Sequence, residues 1–488
     1  VLICYYRRHK EADDIHSPYT PKDSARTMRS VSHLFTGSLL IGSILGFAGC
    51  SVIWPAYETP AIDLPAVALK PMSIDRLWWK AFADPVLDQL VDEALVNNLD
   101  LAKAVANIEE ARANAGAARA LLSPRLDGVA KLGATQRQLT IAITDSEINK
   151  TTATGAVGLG VSWEIDLWGR IRQMNDAALA RLAASEHTRN ATALSISSAV
   201  VDTYLQLRTL DAKLVMTREA SASLKYAANL EYRRWKAEAG TQLAYQQSLA
   251  EWSATEARIP GIQTAIAKTE LALQLLVGRS PRLMAEHLPR GAQPQLPDTP
   301  REFDSALLLR RPDVASAEQM LVAAHADVNA TQAERYPRLN LSLLAGLIAS
   351  SSGLISGFPL FWDASAGLTG PIYDAGLVQS KTEGAEARRQ KAVAHYRYTV
   401  AVAFRDTYEA MVLRDASDSQ VLSSEAEVAT RKKSLGLTQK SYDAGRSSKF
   451  EVLSESIKVL NAQLALADAR QTQLTARSQY YKALGGGF

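Results

Sequence analysis

From Arg170 to Ala239 the chain runs without a single Gly or Pro. As one helix rising 1.5 Å per residue, that stretch spans roughly 105 Å, wider than any ordinary globular core. Apolar residues recur at steps of three and four, as in Val201, Tyr204, Leu205 and then Leu207, Leu210, Leu214. This is a helix with one packed stripe. A second tract, Leu377 to Ala444, has only Gly384 and Gly436 as weak points and no Pro. Each tract runs into a glycine, Gly240 and Gly445, placed for a left-handed C-cap. A return helix follows each one, Gln242 to Val277 and Ser447 to Leu484. Pro260-Gly261 predicts a kink in the first return helix, and the second has no equivalent.

The two tracts are halves of a duplication. "SPRLD" at 123–127 recurs as "YPRLN" at 336–340, an offset of 213. "EIDLWGRIR" at 164–172 answers "PIYDAGLVQ" at 371–379 (offset 207), and "EAGTQLAY" at 238–245 answers "DAGRSSKF" at 443–450 (offset 205). Between the helical tracts each half carries two alternating segments. In the first, Leu126, Gly128, Ala130, Leu132 and then Val157, Leu159, Val161, Trp163 alternate with Arg125, Asp127, Lys131 and Thr154, Gly158, Ser162. In the second, Leu339, Leu341, Leu343, Leu347 and Trp362, Ala364, Leu368 alternate with Asn340, Ser342, Asp363, Ser365. Period two over about ten residues is a strand with one wet and one dry face, and its length suits a tilted membrane-spanning strand. A sheet in lipid must close on itself, and four strands cannot close around a useful lumen, so several chains must contribute. Two ordinary hairpins on a soluble core are the other reading of the same alternation.

Elsewhere the composition is quiet. A net charge of +3 gives no reason to expect nucleic acid as a partner. There is no HExxH, no Gly-rich phosphate loop and no Gly-x-Ser-x-Gly; His187, His287, His325 and His395 are scattered, and the Met residues do not cluster. No enzyme and no metal or other cofactor is expected. Near the start, Met28 and Arg29 precede an apolar block from Leu34 to Phe47 that ends in Ala48-Gly49-Cys50. At about 14 residues the block is too short to span a bilayer as a helix, and its order of basic, apolar and small residues is that of a secretory signal. Phe47-Ala48-Gly49-Cys50 resembles the lipobox of bacterial lipoproteins, in which Cys50 would carry lipid and become the mature N-terminus. A signal peptide with a chance Cys is the alternative. Ser51 after it suits sorting to the outer membrane.

In their order, "WWKAFADPVLDQLVDEAL", "SPRL", "DLWGRIR", "RRPDVASAEQMLVAAHADVNATQAERYPRLNLS", "GPIYDAG" and "YYKALGGGF" resemble the TolC-like outer-membrane efflux family, in its lipoprotein branch. The resemblance covers the chain from about Cys50 to Phe488. It implies a mainly α fold with a membrane β-barrel: a homotrimer sharing a twelve-stranded barrel above an α-helical periplasmic tunnel. The expected location is the outer membrane of a Gram-negative bacterium, with a lipid on Cys50, a periplasmic adaptor protein and an inner-membrane pump. The expected activity is passive export of small molecules. A duct for protein secretion and a non-transporting periplasmic coiled-coil scaffold are the rivals. The expected organisation is an upstream extension (1–27), a signal peptide (28–49) and a lipidated extended arm (50–85). The first repeat (86–280) holds a β-hairpin at 125–165 and a long hairpin at 170–277. After a linker (281–305), the second repeat (306–488) holds a β-hairpin at 337–373 and a long hairpin at 377–484.

The resemblance also places a gate at the periplasmic helix tips, where an apolar residue and an Asp four positions on narrow the closed pore. Here Phe450 takes the apolar place, and Ser454 stands where the Asp would be. Glu451 and Glu455 either supply the negative charge instead or merely solvate a helix start, where the dipole favours acids. Tyr245 is matched to Phe450 in the first repeat and expected to pack its tip.

Overall fold

Pro85 opens the first helix because Asp84 caps it: Asp84 Oδ1 accepts from the backbone N–H of Val86 (2.9 Å) and of Leu87 (3.4 Å). The elements in this computed structural model are α1 (Pro85–Asn97), α2 (Leu99–Ala120), β1 (Arg125–Ile141), β2 (Ser146–Ile165), α3 (Arg170–Lys236), α4 (Gln242–Glu256) and α5 (Arg258–Leu276). The second repeat follows with α6 (Pro312–Ala333), β3 (Arg338–Ser350), β4 (Leu360–Thr369), α7 (Leu377–Asp443) and α8 (Lys449–Ala483). The structure describes residues 54–61, 75–141, 146–282, 294–299, 308–351 and 357–487, without the side chains of 137–150.

The repeats match in length. α2 and α6 have 22 residues each, and α3 and α7 have 67 each, a rod of roughly 100 Å. Neither rod has a side-chain cap at the residue before it; an upstream Asp does that work in both. Asp166 accepts from the N–H of Ile171 (3.1 Å) and Arg172 (2.9 Å), and Asp374 from those of Gly376 and Val378 (both 2.9 Å). The amides of Val378 and Gly376 hold the Asp374 carboxyl below the usual carboxylate range. The first return helix breaks at Ala257, between α4 and α5, while α8 is continuous. Pro260 causes the break: it offers no N–H, and its ring crowds the carbonyl four residues back, at Glu256.

Two cores hold the rods at mid-height. The first joins Trp78, Trp79 and Phe82 to Leu87, Val91, Val200, Tyr204 and Leu273, with the buried Tyr204 hydroxyl donating to Asp84 Oδ2 (2.7 Å). The second joins Leu308, Val314 and Leu321 of the second repeat to Tyr396, Val400 and Tyr480. α8 serves both, because Tyr481 stacks on Trp78 (5.5 Å) while Tyr480 lies in the second core. Trp78–Phe82 is therefore a 3-10 turn with its three aromatic rings buried and Lys80 and Ala81 exposed, where the sequence predicts an extended arm. Three bulky aromatic rings in five residues cannot stay in water, and that overrides an extended path. Upstream, residues 54–61 do run without regular structure: Trp54 Nε1 donates to Trp168 O (2.7 Å), and Thr59 Oγ1 to Glu318 (3.0 Å).

The four strands form one antiparallel sheet in chain order, joined across the repeats by the β2–β3 pair, with Val161 opposite Leu343. β1 and β2 are longer than their alternation predicts, continuing in register to Ile141 opposite Ser146. The backbone ladder needs no apolar residues to continue, so pairing outruns the alternation. Among the described residues no helix is long and apolar enough to cross a membrane.

Candidate functional site

Register decides what the sheet can face. Leu126, Val161, Leu343 and Ala364 lie in one row, then Gly128, Leu159, Ala345 and Trp362, then Ala130, Val157, Leu347 and Leu360. No polar side chain interrupts these rows, yet Leu132 is 94% exposed, Leu360 77% and Trp362 73% in the single chain. An apolar band of this extent has no place in water. The opposite face carries Arg125, Ser162, Ser342 and Ser365 in its row nearest the helices, with the Ser342 and Ser365 hydroxyls 2.7 Å apart. One face is built for lipid and the other for water, the division found in membrane barrels. The strands meet the helices at a belt of aromatic rings. Trp168 stacks on Tyr336 (4.9 Å) and donates from Nε1 to Pro337 O (2.6 Å), and a two-pronged Arg170–Glu164 ion pair (2.8 Å) braces the turn. Such rings favour a membrane–water interface.

The far end of the rods forms two tips. In the first, Tyr245 stacks on Trp235 (5.8 Å, 8°) and leans on Tyr232 (5.3 Å), while Lys236 Nζ sits 4.5 Å from the Trp235 ring. In the second, Ser448 caps α8 by accepting from the Glu451 N–H (3.2 Å). The Glu451 carboxylate in turn accepts from the Ser448 hydroxyl (3.2 Å). Glu455 pairs with Lys458 (2.7 Å) and accepts from Ser434 (3.2 Å), and the Lys458 ammonium holds its carboxyl below the usual range. Phe450, Ser454 and Glu455 are half-buried, and Glu451 is exposed.

The family model for outer membrane efflux proteins matches residues 90–279 and 305–486. The chain belongs to that family. It is 30% identical to the pyoverdine export outer membrane protein OpmQ of Pseudomonas putida, over 91% of this chain and 96% of that protein. Outer membrane protein OprJ of Pseudomonas aeruginosa is 32% identical over 92% of this chain and 95% of its own length. The CmeC outer membrane channel of Campylobacter jejuni superposes with a TM-score of 0.81 at 26% identity, covering 90% of this chain and 95% of that one. This outer membrane efflux protein is thus an outer-membrane channel serving export, with a helical tunnel and a barrel-forming sheet.

The residues read from its sequence fall into place unevenly. Cys50 lies outside the described residues, as do 1–49. Gly445 takes a left-handed conformation (φ 71) and closes α7, its N–H donating to Tyr442 O and that of Arg446 to Ser441 O. Gly240 does not do this for α3. The left-handed residue there is Glu238 (φ 57), with Ala239 N–H donating to Arg234 O. The helix ends where its carbonyls find partners, two residues before the glycine. This corrects the alignment of the tips as well: the caps Thr241 and Ser448 correspond, which sets Phe450 against Leu243 and not against Tyr245. Tyr245 packs the first tip through Trp235, a partner that spacing alone could not reveal. Both Glu451 and Glu455 have local partners, as a solvated helix start requires.

Proposed function

We propose that three copies of this chain close a twelve-stranded barrel and a continuous tunnel, and that the channel passively conducts small molecules outward. The carrying observation is the four-stranded sheet with an unbroken apolar face, in which β1 pairs only with β2 and β4 only with β3 among the described strands, so that each has one open edge. Unpaired edge amides in lipid cost several kcal/mol each, so the edges need further copies. A coiled-coil scaffold that stayed in the periplasm would have no use for such a face. A periplasmic adaptor protein and an inner-membrane pump complete the assembly, the first meeting the helix tips. A lipid on Cys50 would add an anchor to a barrel that already spans the membrane. Phe450 narrows the closed tip, where apolar side chains exclude water and hence ions.

Native mass measurement and heat-modifiable mobility test the closure: a trimer is expected, and a monomer refutes it. Intact mass of protein purified from its own membrane tests the anchor, which fails if Cys50 is unmodified or preceded by further residues. For the gate, Phe450→Ala should raise single-channel conductance in planar bilayers, and unchanged conductance places the constriction elsewhere. Glu451→Gln combined with Glu455→Gln tests the acidic alternative: a changed cation preference with little change in conductance assigns these residues to the gate, and an unchanged one leaves them to the helix start.

A further inference from the structure

Each outermost strand carries one charge on the polar face that no described residue engages. Lys131 of β1 is exposed and makes no ion pair or hydrogen bond with any described residue. Ala156 lies opposite it, with Thr154 and Gly158 on the diagonals, and none of these is acidic. Asp363 of β4 is likewise exposed and unengaged among the described residues. It faces Leu344, with Ser342 and Gly346 on the diagonals, and none of these is basic. Asp363 shares its row with Asp127, which is taken by Arg125 (2.7 Å) and stands four positions before Lys131. Three strand spacings and that rise separate Lys131 from Asp363 within one chain, roughly 20 Å. The two charges cannot meet in a single copy.

Closing the barrel sets β4 of one copy beside β1 of the next, antiparallel like the other pairs. Lipid-facing residues must meet lipid-facing residues, so the displacement between copies is an even number of residues. A displacement of zero would set Asp363 against Asp127, like charges directly opposite. It would also leave the strands untilted, which a barrel does not allow. Twelve strands about 4.8 Å apart and tilted about 35–45° accumulate roughly 12 to 17 residues of stagger. Shared among three copies, that is roughly four residues per seam, or about six at the steep limit. Strand handedness sets the direction. On the lipid-facing row β3 bonds toward β2, where Ser351 N–H donates to Ala153 O (2.9 Å). With the right-handed twist of strands, the residue of β1 that meets β4 then lies further from the helices. A displacement of about four puts Lys131 directly opposite Asp363, and one of about six puts it a diagonal step away, within reach of a long side chain. On the lipid face the same shift brings Leu132 to Trp362, an aromatic–aliphatic cross-strand pair.

We propose that an ion pair on the lumen face closes each seam between copies, Lys131 of one copy with Asp363 of the next. The inference rests on the trimeric reading above and adds to it the register in which the copies meet. Opposite charges on the two open edges favour this register over the undisplaced one, where two acids would face each other. A second copy is therefore the partner to which each edge is fitted in charge as well as in backbone.

The test uses the full purified protein in detergent. Lys131→Cys combined with Asp363→Cys, treated with a thiol cross-linker of about 8 Å, should give linked dimers and trimers on a denaturing gel, since opposite and diagonal positions both fall within that span. Asp127→Cys combined with Asp363→Cys, the undisplaced register, should give none. Lys131→Asp and Asp363→Lys should each lower the temperature at which the trimer dissociates, and the two together should restore most of the loss. Asp363→Asn, which removes the attraction without adding repulsion, should shift it in the same direction by less, and the shift should shrink in 1 M salt. A trimer in which the 127–363 pair links and the 131–363 pair does not overturns the register. A double charge variant as unstable as the sum of its singles overturns the ion pair. Both results are read on protein that native mass shows to be a trimer, so they sink this inference alone, whereas a monomer sinks the trimeric reading and the seam with it.

Discussion

The two helical tips have the same length of rod behind them and hold together by different chemistry. The first is closed by Tyr245 stacked on Trp235, with Tyr232 and Lys236 alongside. The second is closed by a Ser448 cap, the Glu455–Lys458 pair and Lys449 over the Tyr442 ring (5.1 Å). Stacked rings are indifferent to salt and hard to rearrange one at a time. Exposed ion pairs are screened and exchange readily with water. Duplication has preserved the geometry of the hairpin and let the fastening diverge. On that chemistry the second tip should be the more sensitive of the two to salt.

The comparison can be broken first in the sheet, where the repeats are expected to behave alike. Leu159→Arg in the first repeat and Leu341→Arg in the second should each cost about 2 to 4 kcal/mol near the bilayer midplane, while Ser342→Arg costs little. Unfolding titrations decide it, and a tolerated Arg on either apolar strand would end the equivalence of the two hairpins in lipid. Gly158 is unsuitable as the polar-face control, because any side chain there strikes Ala345 O.

Between the rods the repeats should differ. Asp202 of α3 is raised to about 6 by desolvation, against the lowering effects of a hydrogen bond from Ser478 and the charge of Lys482, and its Oδ1 is enclosed without a partner among the described residues. A carboxyl raised in the fold opposes folding once it is ionised, so this penalty grows as pH rises from about 4 through 6 and is absent below that window. Asp202→Asn should therefore stabilise by about 2 kcal/mol at pH 8 and by nothing at pH 4. The corresponding residue of α7, Glu409, is exposed beside Arg405 (3.7 Å), and Glu409→Gln should be near neutral at either pH. Thermal melts at the two pH values give the answer, and a pH-independent effect of Asp202→Asn would remove the assigned cause.

At the tips, Tyr245→Ala should destabilise by about 1.5 kcal/mol whatever the salt concentration, whereas the smaller cost of Glu455→Gln should fade in 1 M salt. Equal salt dependence would mean that the two fastenings do not differ in kind. The smallest expected effects come from the helix ends. Gly445→Ala should cost about 1 kcal/mol, and Glu238→Gly should gain somewhat less, since only the first puts a Cβ into a left-handed position and the second removes one. Opposite signs in melting temperature are the expected outcome.

Much of this molecule was determined by the order of residues along the chain. Seventy positions without a helix breaker make a rod, period-two apolar residues make strands with a lipid face, and Pro260 breaks the first return helix but not the second. These patterns involve residues only a few positions apart, and backbone sterics and side-chain periodicity act over that distance. The tertiary structure alone decided that Glu238 and not Gly240 turns left-handed, that Tyr245 answers to Trp235, and that the rings of Trp78, Trp79 and Phe82 are buried. It alone set Gly158 against Gly346 across the β2–β3 pair. In the helix end, a two-residue slip in where carbonyls find partners outweighs the preference of one glycine. In the strand contacts, the partner lies about two hundred residues away, and only the register of the folded sheet brings it close.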